Sequence, residues 1–308
     1  MLEIPAIETG PAEGFPEDLQ RLMANIGPVW GTDIQKHGSL VRDAFSKLLE
    51  ASPKANDVVR NISYGSHPRQ ILDLYRPDPK RGAAPVVIFV HGGAFIRGDM
   101  NLNGLMNANV LTWFSRQGYL GINMEYRLAP ETCYPGGADD VASVVAWVMR
   151  SAAAHGGDPE RTFLVGHSAG GTHAATYSYD PAPGYLGRDV RGVALISARL
   201  RADVLPENPN AVGVRAYFGT DESTYEKRAP MLHGASSSLP TFVAIAEFEN
   251  PLLDVYGAEF FYRMSIARGR AIPFLWLAKH NHISMTAHFN TTEEVLGRRI
   301  LQFFESVP

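Results

Sequence analysis

Six short apolar runs, several of them separated by helical stretches, constrain the fold of this chain more than any other feature of its sequence. The runs lack alternation of apolar and polar residues, which is typical of strands buried on both faces of a parallel sheet. They cover residues 86–90, 119–124, 162–165, 190–196, 241–246 and 272–277. Two strand-like runs before them, 58–62 and 70–75, are separated by Gly65 and Pro68 and predict a hairpin. The whole pattern predicts an α/β fold with helices on both faces of a mostly parallel sheet.

The first fifty residues have a helical pattern instead. One helix face is indicated by the spacing of Leu19, Leu22, Met23 and Ile26. A second apolar stripe runs over residues 40–49. Two amphipathic helices need an apolar surface to cover, so we expect residues 1–52 to form a helical cap on a core of residues 53–308. The Pro- and Gly-containing interval at about 197–239 is expected to add a cap excursion within the same structural domain.

Composition and charge exclude several classes of protein. The 28 basic and 32 acidic side chains give a net charge of −4, which argues against a nucleic-acid-binding protein. The single cysteine, Cys133, excludes an intramolecular disulfide. No run of apolar residues is long enough to span a membrane, and the N-terminus has no signal-peptide pattern. We therefore expect a soluble, cytoplasmic protein, with a homodimer as one option.

A serine lies on the turn that follows the run 162–165. Residues 166–171 read Gly-His-Ser-Ala-Gly-Gly, and the pattern G-x-S-x-G between a strand and a helix exposes the hydroxyl of Ser168 on a tight turn. Glycines are needed there because side chains would clash with the neighbouring strand and helix. Amides at the start of the following helix can stabilise developing negative charge. We predict that Ser168 is a nucleophile.

A glycine-containing loop, His91-Gly92-Gly93-Ala94, follows the run 86–90. A serine that attacks an ester creates an oxyanion, which needs preorganised hydrogen-bond donors about 3 Å away. Backbone amides of small residues can supply them, because the substrate oxygen can approach the main chain. The loop is therefore a candidate oxyanion site.

Together these motifs resemble the α/β-hydrolases of the esterase and lipase group, which includes hormone-sensitive-lipase-like carboxylesterases and, more distantly, kynurenine formamidases. The matching segments are residues 91–94, 125–131, 157–159 and 166–171. The resemblance implies the eight-stranded hydrolase sheet and an oxyanion hole formed by Gly92, Gly93 or Ala94 together with the amide of Ala169. Ala94 stands where the group usually has a third glycine, but an alanine amide still donates.

A histidine must take the proton of the serine, and in this fold the chain order is serine, acid, histidine. Three histidines follow the last predicted strand: His280, His282 and His288. In the resembling families the histidine lies a few residues past that strand, which favours His282 as the base. His280 is the alternative, and His288 is expected inside the following helix.

The acid is expected at the end of the run 241–246. Related esterases usually have an aspartate before Pro-Leu, where this chain has Asn250, and an amide cannot stabilise an imidazolium by charge. Glu249, one residue earlier, is therefore the predicted acid, with Asp254 as the alternative. Glu247 is expected to point to the opposite side of the strand.

The combined prediction is a serine hydrolase that needs no cofactor and cleaves carboxylic esters of small to medium, hydrophobic or aromatic substrates. An arylformamidase or amidase with the same catalytic residues is an alternative. A non-catalytic ligand-binding protein on a hydrolase fold is a remote alternative. His280 and His282 have no third partner with the regular spacing of a zinc motif, so no metal site is expected.

Overall fold

A single sheet of eight strands forms the centre of the protein. The structure, a computed structural model, describes residue 12 and residues 14–77 and 82–308. The strands are β1 (Asp57–Ser63), β2 (Ile71–Arg76), β3 (Ala84–Val90), β4 (Leu120–Met124), β5 (Gly157–His167), β6 (Gly192–Ile196), β7 (Thr241–Phe248) and β8 (Phe274–Asn281). Their order is β1-β2-β4-β3-β5-β6-β7-β8, with β2 antiparallel to both neighbours and every other pair parallel. The predicted fold class is confirmed.

Helices connect most of the strands. Those in the described part of the chain are α1 (Glu17–Ile26), α2 (Ile34–Glu50), α3 (Ala108–Arg116), α4 (Gly136–Ser151), α5 (Ala169–Tyr179), α6 (Ala211–Phe218), α7 (Tyr225–Arg228), α8 (Pro230–His233), α9 (Leu253–Arg268), α10 (Ser284–Ala287) and α11 (Val295–Ser306). None of the helices described here is long and apolar enough to cross a membrane.

The two faces of the sheet carry separate apolar cores. Along β3, Val86 and Ile88 contribute to the core that includes residues of α4, α5 and α9, whereas Val87 and Phe89 contribute to the core that includes residues of α3 and α11. All four side chains are fully buried. Burying such a side chain stabilises the fold by about 1.5–3 kcal/mol. Both faces need apolar residues, which is why the predicted runs show no alternation.

Strand β8 is longer than its apolar run. The sequence predicts a strand over 272–277, but β8 ends at Asn281, which pairs with Phe248 at the end of β7. The extra residues include polar side chains, so an apolar pattern cannot reveal them. The extension matters because it carries the chain directly to His282.

The two N-terminal helices lie against the loops at one edge of the sheet. Trp30, in the 3-10 turn between α1 and α2, and Phe45 of α2 are buried in a cluster that also contains Met106 and Ala287. Residues 1–11 and 13 of the predicted cap segment lie outside the described residues. The division into cap and core stays a prediction.

Candidate active site

Ser168 lies on a sharp turn between β5 and α5. Its backbone has φ 55° and ψ −120°, a conformation that costs a non-glycine residue free energy and is found mainly at functional sites. The Ser168 amide donates to the carbonyl of Ile196 at 3.1 Å, which anchors the turn to β6. A Cβ at Gly170 would clash with the carbonyl oxygens of Val90 and His91, so only glycine allows α5 to approach the end of β3 this closely.

Three side chains from distant parts of the chain form a continuous hydrogen-bonded row. His282 Nε2 lies 3.0 Å from Ser168 Oγ, and His282 Nδ1 lies 2.7 Å from Glu249 Oε2. The side chains of His282 and Glu249 are 5% and 1% exposed, so their interaction is shielded from water. The residues follow β5, β7 and β8, whose carboxyl ends meet at one edge of the sheet. The structure thus brings together all three of the predicted residues.

Backbone contacts fix both Glu249 and His282. The second carboxylate oxygen of Glu249 accepts a hydrogen bond from the amide of Ala246 at 2.9 Å. The amide of His282 donates to the carbonyl of Phe248 at 3.1 Å. The glutamate and histidine are therefore held to the same strand end, which limits the freedom of their side chains.

Asn250, at the usual aspartate position of the resembling families, has Trp30 rather than the histidine as its side-chain partner. Its Oδ1 accepts a hydrogen bond from Trp30 Nε1 at 3.0 Å. The alternative acid, Asp254, lies in the first turn of α9. The Nδ1 atom of His282 is hydrogen-bonded to Glu249 and not to Asp254. Glu247 accepts from the amide of Lys279 instead.

The alternative base lies in a different environment. His280 is fully buried, and its Nδ1 lies 3.0 Å from the hydroxyl of Ser284. His288 directly follows α10 rather than lying inside it, and it contacts His280 ring to ring. Neither side chain makes a contact with Ser168 among the described interactions.

The predicted oxyanion loop passes directly beside the serine. A Cβ built on Gly92 would stand 3.0 Å from the Cβ of Ser168. Within the described residues, the amides of Gly92, Gly93, Ala94 and Ala169 donate to no protein acceptor. These amides are free to bind a substrate oxygen.

The loop is braced by His91 and a buried glutamate that the sequence analysis did not single out. The ring nitrogens of His91 lie 2.7 Å from the carbonyl of Gly92 and 2.8 Å from Glu125 Oε1. Glu125 also accepts from Arg69 and, at 3.0 Å, from the amide of Met100. Burial would raise the pKa of Glu125, but the hydrogen bond and charge of His91 and the charge of Arg69 lower it. An ionised carboxylate is thus held under the loop.

His167, next to the serine, positions the base through the main chain. Its Nε2 donates to the carbonyl of His282 at 3.0 Å, and the two rings lie 4.8 Å apart. Burial and the neighbouring ring of His282 lower the pKa of His167 well below its ordinary value, so this ring is neutral. The only sequence signal for this role is its place inside the G-x-S-x-G motif.

The strand order, the serine turn after β5 and the glycine-containing loop after β3 define the α/β-hydrolase fold. The family model BD-FAE matches residues 72–189, which contain both motifs but make up less than half of the chain. The chain therefore has the α/β-hydrolase fold, and the matched part of its sequence is similar to this family.

Curated relatives with sequence similarity include two esterases. A probable isoprenylcysteine alpha-carbonyl methylesterase of Oryza sativa subsp. japonica is 38% identical over 121 residues, covering 39% of this chain and 28% of the relative. Carboxylesterase NlhH of Mycobacterium tuberculosis is 34% identical over 149 residues, covering 48% of this chain and 43% of the relative. These matches span less than half of the relatives' own length.

Solved structures match over nearly the whole chain. Esterase B from Lactobacillus rhamnosis has a TM-score of 0.71 and 21% identity, covering 93% of this chain and 96% of that chain. A hyperthermophilic esterase from the archaeon Pyrobaculum calidifontis has a TM-score of 0.70 and 20% identity, covering 95% and 97% of the two chains. At these identities the likeness concerns the fold.

Proposed function

We propose that this chain is a serine hydrolase that cleaves carboxylic esters through an acyl-enzyme. The observation that carries the proposal is the pair of hydrogen bonds from Ser168 Oγ to His282 Nε2 at 3.0 Å and from His282 Nδ1 to Glu249 Oε2 at 2.7 Å. A hydroxyl in line with an imidazole and a carboxylate is the arrangement that activates serine for acyl transfer. The esterase names of the curated relatives support the same chemistry.

In the first half of the reaction, Ser168 Oγ attacks the carbonyl carbon of the ester. His282 takes the hydroxyl proton on Nε2 and becomes an imidazolium. Glu249 accepts the hydrogen bond from Nδ1–H, which fixes the tautomer and stabilises the positive charge. The amides of Gly92, of Gly93 or Ala94, and of Ala169 stabilise the oxyanion. The imidazolium then protonates the alkoxide, and the alcohol leaves.

In the second half, a water molecule attacks the acyl-enzyme. His282 removes a proton from the water, and the oxyanion forms again beside the same amides. When the tetrahedral intermediate collapses, His282 returns the proton to Ser168 Oγ and the carboxylic acid leaves. None of these steps uses a cofactor.

We further propose hydrophobic acyl or aryl substrates of small to medium size. Helix α6 lies against the oxyanion loop, because a Cβ on Gly213 would clash with the carbonyl of Ala94. The N-terminal segment packs beside the residue that precedes Glu249, where Gly27 lies against the ring of Phe248. Phe95, the residue after the loop, belongs to one apolar cluster with Ala169 and with Val214 of α6.

The serine is tested with a fluorophosphonate probe, which labels activated serines. Wild-type protein is expected to be labelled at residue 168, whereas Ser168→Ala is expected to lose labelling and about 10³-fold or more of its esterase rate. Ser178→Ala, which removes a buried hydroxyl from α5, the helix that follows Ser168, is the matched control. Labelling of wild-type protein at another residue, or an unchanged rate in Ser168→Ala, would reject the mechanism.

The ester class is tested with p-nitrophenyl esters of increasing chain length beside an aryl formamide. We expect faster turnover of the esters. Faster turnover of the formamide would instead support the arylformamidase alternative. The expected cytoplasmic location and homodimer stay predictions.

A further inference from the structure

A cluster of three buried side chains lies beyond the end of β8, apart from the serine. His280 belongs to β8, His288 directly follows α10, and Glu293 lies two residues before α11. The residues are 0%, 0% and 6% exposed. One ligating atom of each lies within 4.8 Å of the others. Two imidazoles and a carboxylate thus converge in the protein interior.

The hydrogen bonds of the two rings fix which nitrogens carry protons. His288 Nδ1 lies 2.6 Å from the carbonyl of Ser284, which can only accept, so Nδ1 carries the hydrogen. The hydroxyl of Ser284 donates to the carbonyl of Asn281 at 3.0 Å, so at 3.0 Å it accepts from His280 Nδ1. A neutral imidazole has one N–H. In the neutral form of each ring, Nε2 therefore presents a lone pair.

Both Nε2 atoms face the same carboxylate oxygen. His280 Nε2 and His288 Nε2 each lie 3.3 Å from Glu293 Oε2, and none of the three atoms makes a hydrogen bond with the described residues. Buried polar atoms left in this way cost free energy unless a cation lies between them. A direct imidazole–carboxylate bond in this protein is shorter, 2.7 Å between His282 and Glu249.

Two of the three ligand–ligand distances suit a shared metal ion, and the ligand atoms of the third pair, the two histidines, lie within 4.8 Å of each other. Ligands bound to tetrahedral zinc at about 2.0–2.1 Å lie roughly 3.3–3.4 Å from one another. Both measured nitrogen–oxygen distances are 3.3 Å. In metal sites each histidine usually donates its other ring N–H to an oxygen, as His280 and His288 do here to Ser284. The second oxygen of Glu293 accepts from the amide of Val295 at 2.7 Å, which orients the carboxylate.

We propose that His280 Nε2, His288 Nε2 and Glu293 Oε2 bind a zinc ion, with a water molecule as fourth ligand. This proposal replaces the expectation, drawn from His280 and His282, that the chain has no metal site. The ion has a structural role: it joins the end of β8, two residues before His282, to the segment that precedes α11. The proposal does not depend on the proposed hydrolase activity.

The test measures zinc on the full-length chain. Protein is stripped with a chelator, dialysed, mixed with excess zinc sulfate and desalted, and the retained zinc is measured by mass spectrometry. We expect about one zinc per chain and a rise in Tm of about 5 °C that the chelator reverses. Zinc no higher than in a protein-free blank, with an unchanged Tm, would overturn the proposal.

Substitutions of the cluster residues test which side chains bind the zinc ion. His288→Gln and Glu293→Gln are expected to lose at least ten-fold in zinc affinity. His173→Gln, which changes a buried histidine outside the cluster, is expected to retain zinc. Retention of zinc in both cluster variants would overturn the assignment. If the cluster variants do not fold, cobalt bound to the unaltered chain decides: a tetrahedral visible spectrum supports the site, and its absence contradicts it.

Discussion

The indole Nε1 of Trp30 donates a hydrogen bond to Oδ1 of Asn250 at 3.0 Å, joining residues 220 positions apart. Both side chains are buried. Asn250 directly follows Glu249, so the N-terminal segment braces the turn that presents the carboxylate to His282. The asparagine that departs from the family pattern has a partner of its own.

We expect Trp30→Phe to lower the free energy of unfolding by about 1–3 kcal/mol, because Oδ1 of Asn250 is left buried without a donor. Denaturant titration measures the loss. Trp276→Phe, at a side chain that is 51% exposed, serves as the control and is expected to change stability little. Equal losses in the two variants would contradict a specific role for the hydrogen bond.

Glu249→Gln is expected to lower kcat for an ester by about 10²–10⁴-fold. An amide at this position cannot stabilise the imidazolium by charge, and it no longer fixes the tautomer of His282. Asp254→Asn tests the alternative acid and is expected to retain nearly the full rate. A larger loss of kcat in Asp254→Asn than in Glu249→Gln would show that Asp254, and not Glu249, is the acid. Steady-state kinetics at constant pH measures both.

Gly213→Ala is expected to displace the oxyanion loop, because the new Cβ would clash with the carbonyl of Ala94. Since in the proposed mechanism the loop stabilises charge that develops only in the transition state, we expect kcat to fall at least ten-fold with a smaller change in KM. Val212→Ala, at the preceding exposed residue of α6, controls for effects on the helix. A normal kcat in Gly213→Ala would show that the loop tolerates the shift.

We expect the free energy of unfolding to depend on pH because of His173. Burial, with a smaller contribution from the charge of His91, lowers the pKa of His173 to about 3, whereas an unfolded histidine titrates near 6.5. Between these values the unfolded state binds more protons, so stability falls as pH falls below about 6.5. The slope from this one group approaches about 1.4 kcal/mol per pH unit.

The dependence on His173 is measured by denaturant titration between pH 7 and pH 5. His173→Gln is expected to flatten the slope of unfolding free energy against pH, whatever its effect at pH 7. Thr176→Val, which changes a buried side chain of the same helix that does not titrate, is expected to keep the wild-type slope. Parallel slopes in wild type and His173→Gln would contradict the assignment.

The local sequence determined the sheet and the turn that carries Ser168. Long apolar runs specify buried strands, because both faces of the sheet must exclude water. Ser168 and the loop at Gly92 could be predicted because their backbone geometry requires glycines at fixed short spacings. His282 and Glu249 needed, in addition, the chain order of a resembling family.

Only the tertiary structure decided which side chains meet across long separations. The contact of Trp30 with Asn250, the support of His282 by His167, and the convergence of His280 and His288 on Glu293 leave no local pattern in the sequence. Each depends on where strand ends and loops are placed by packing of the whole sheet. The local pattern of residues in the sequence reflects backbone conformation and burial. Contacts between distant loops form only when the packed core fixes the relative positions of those loops.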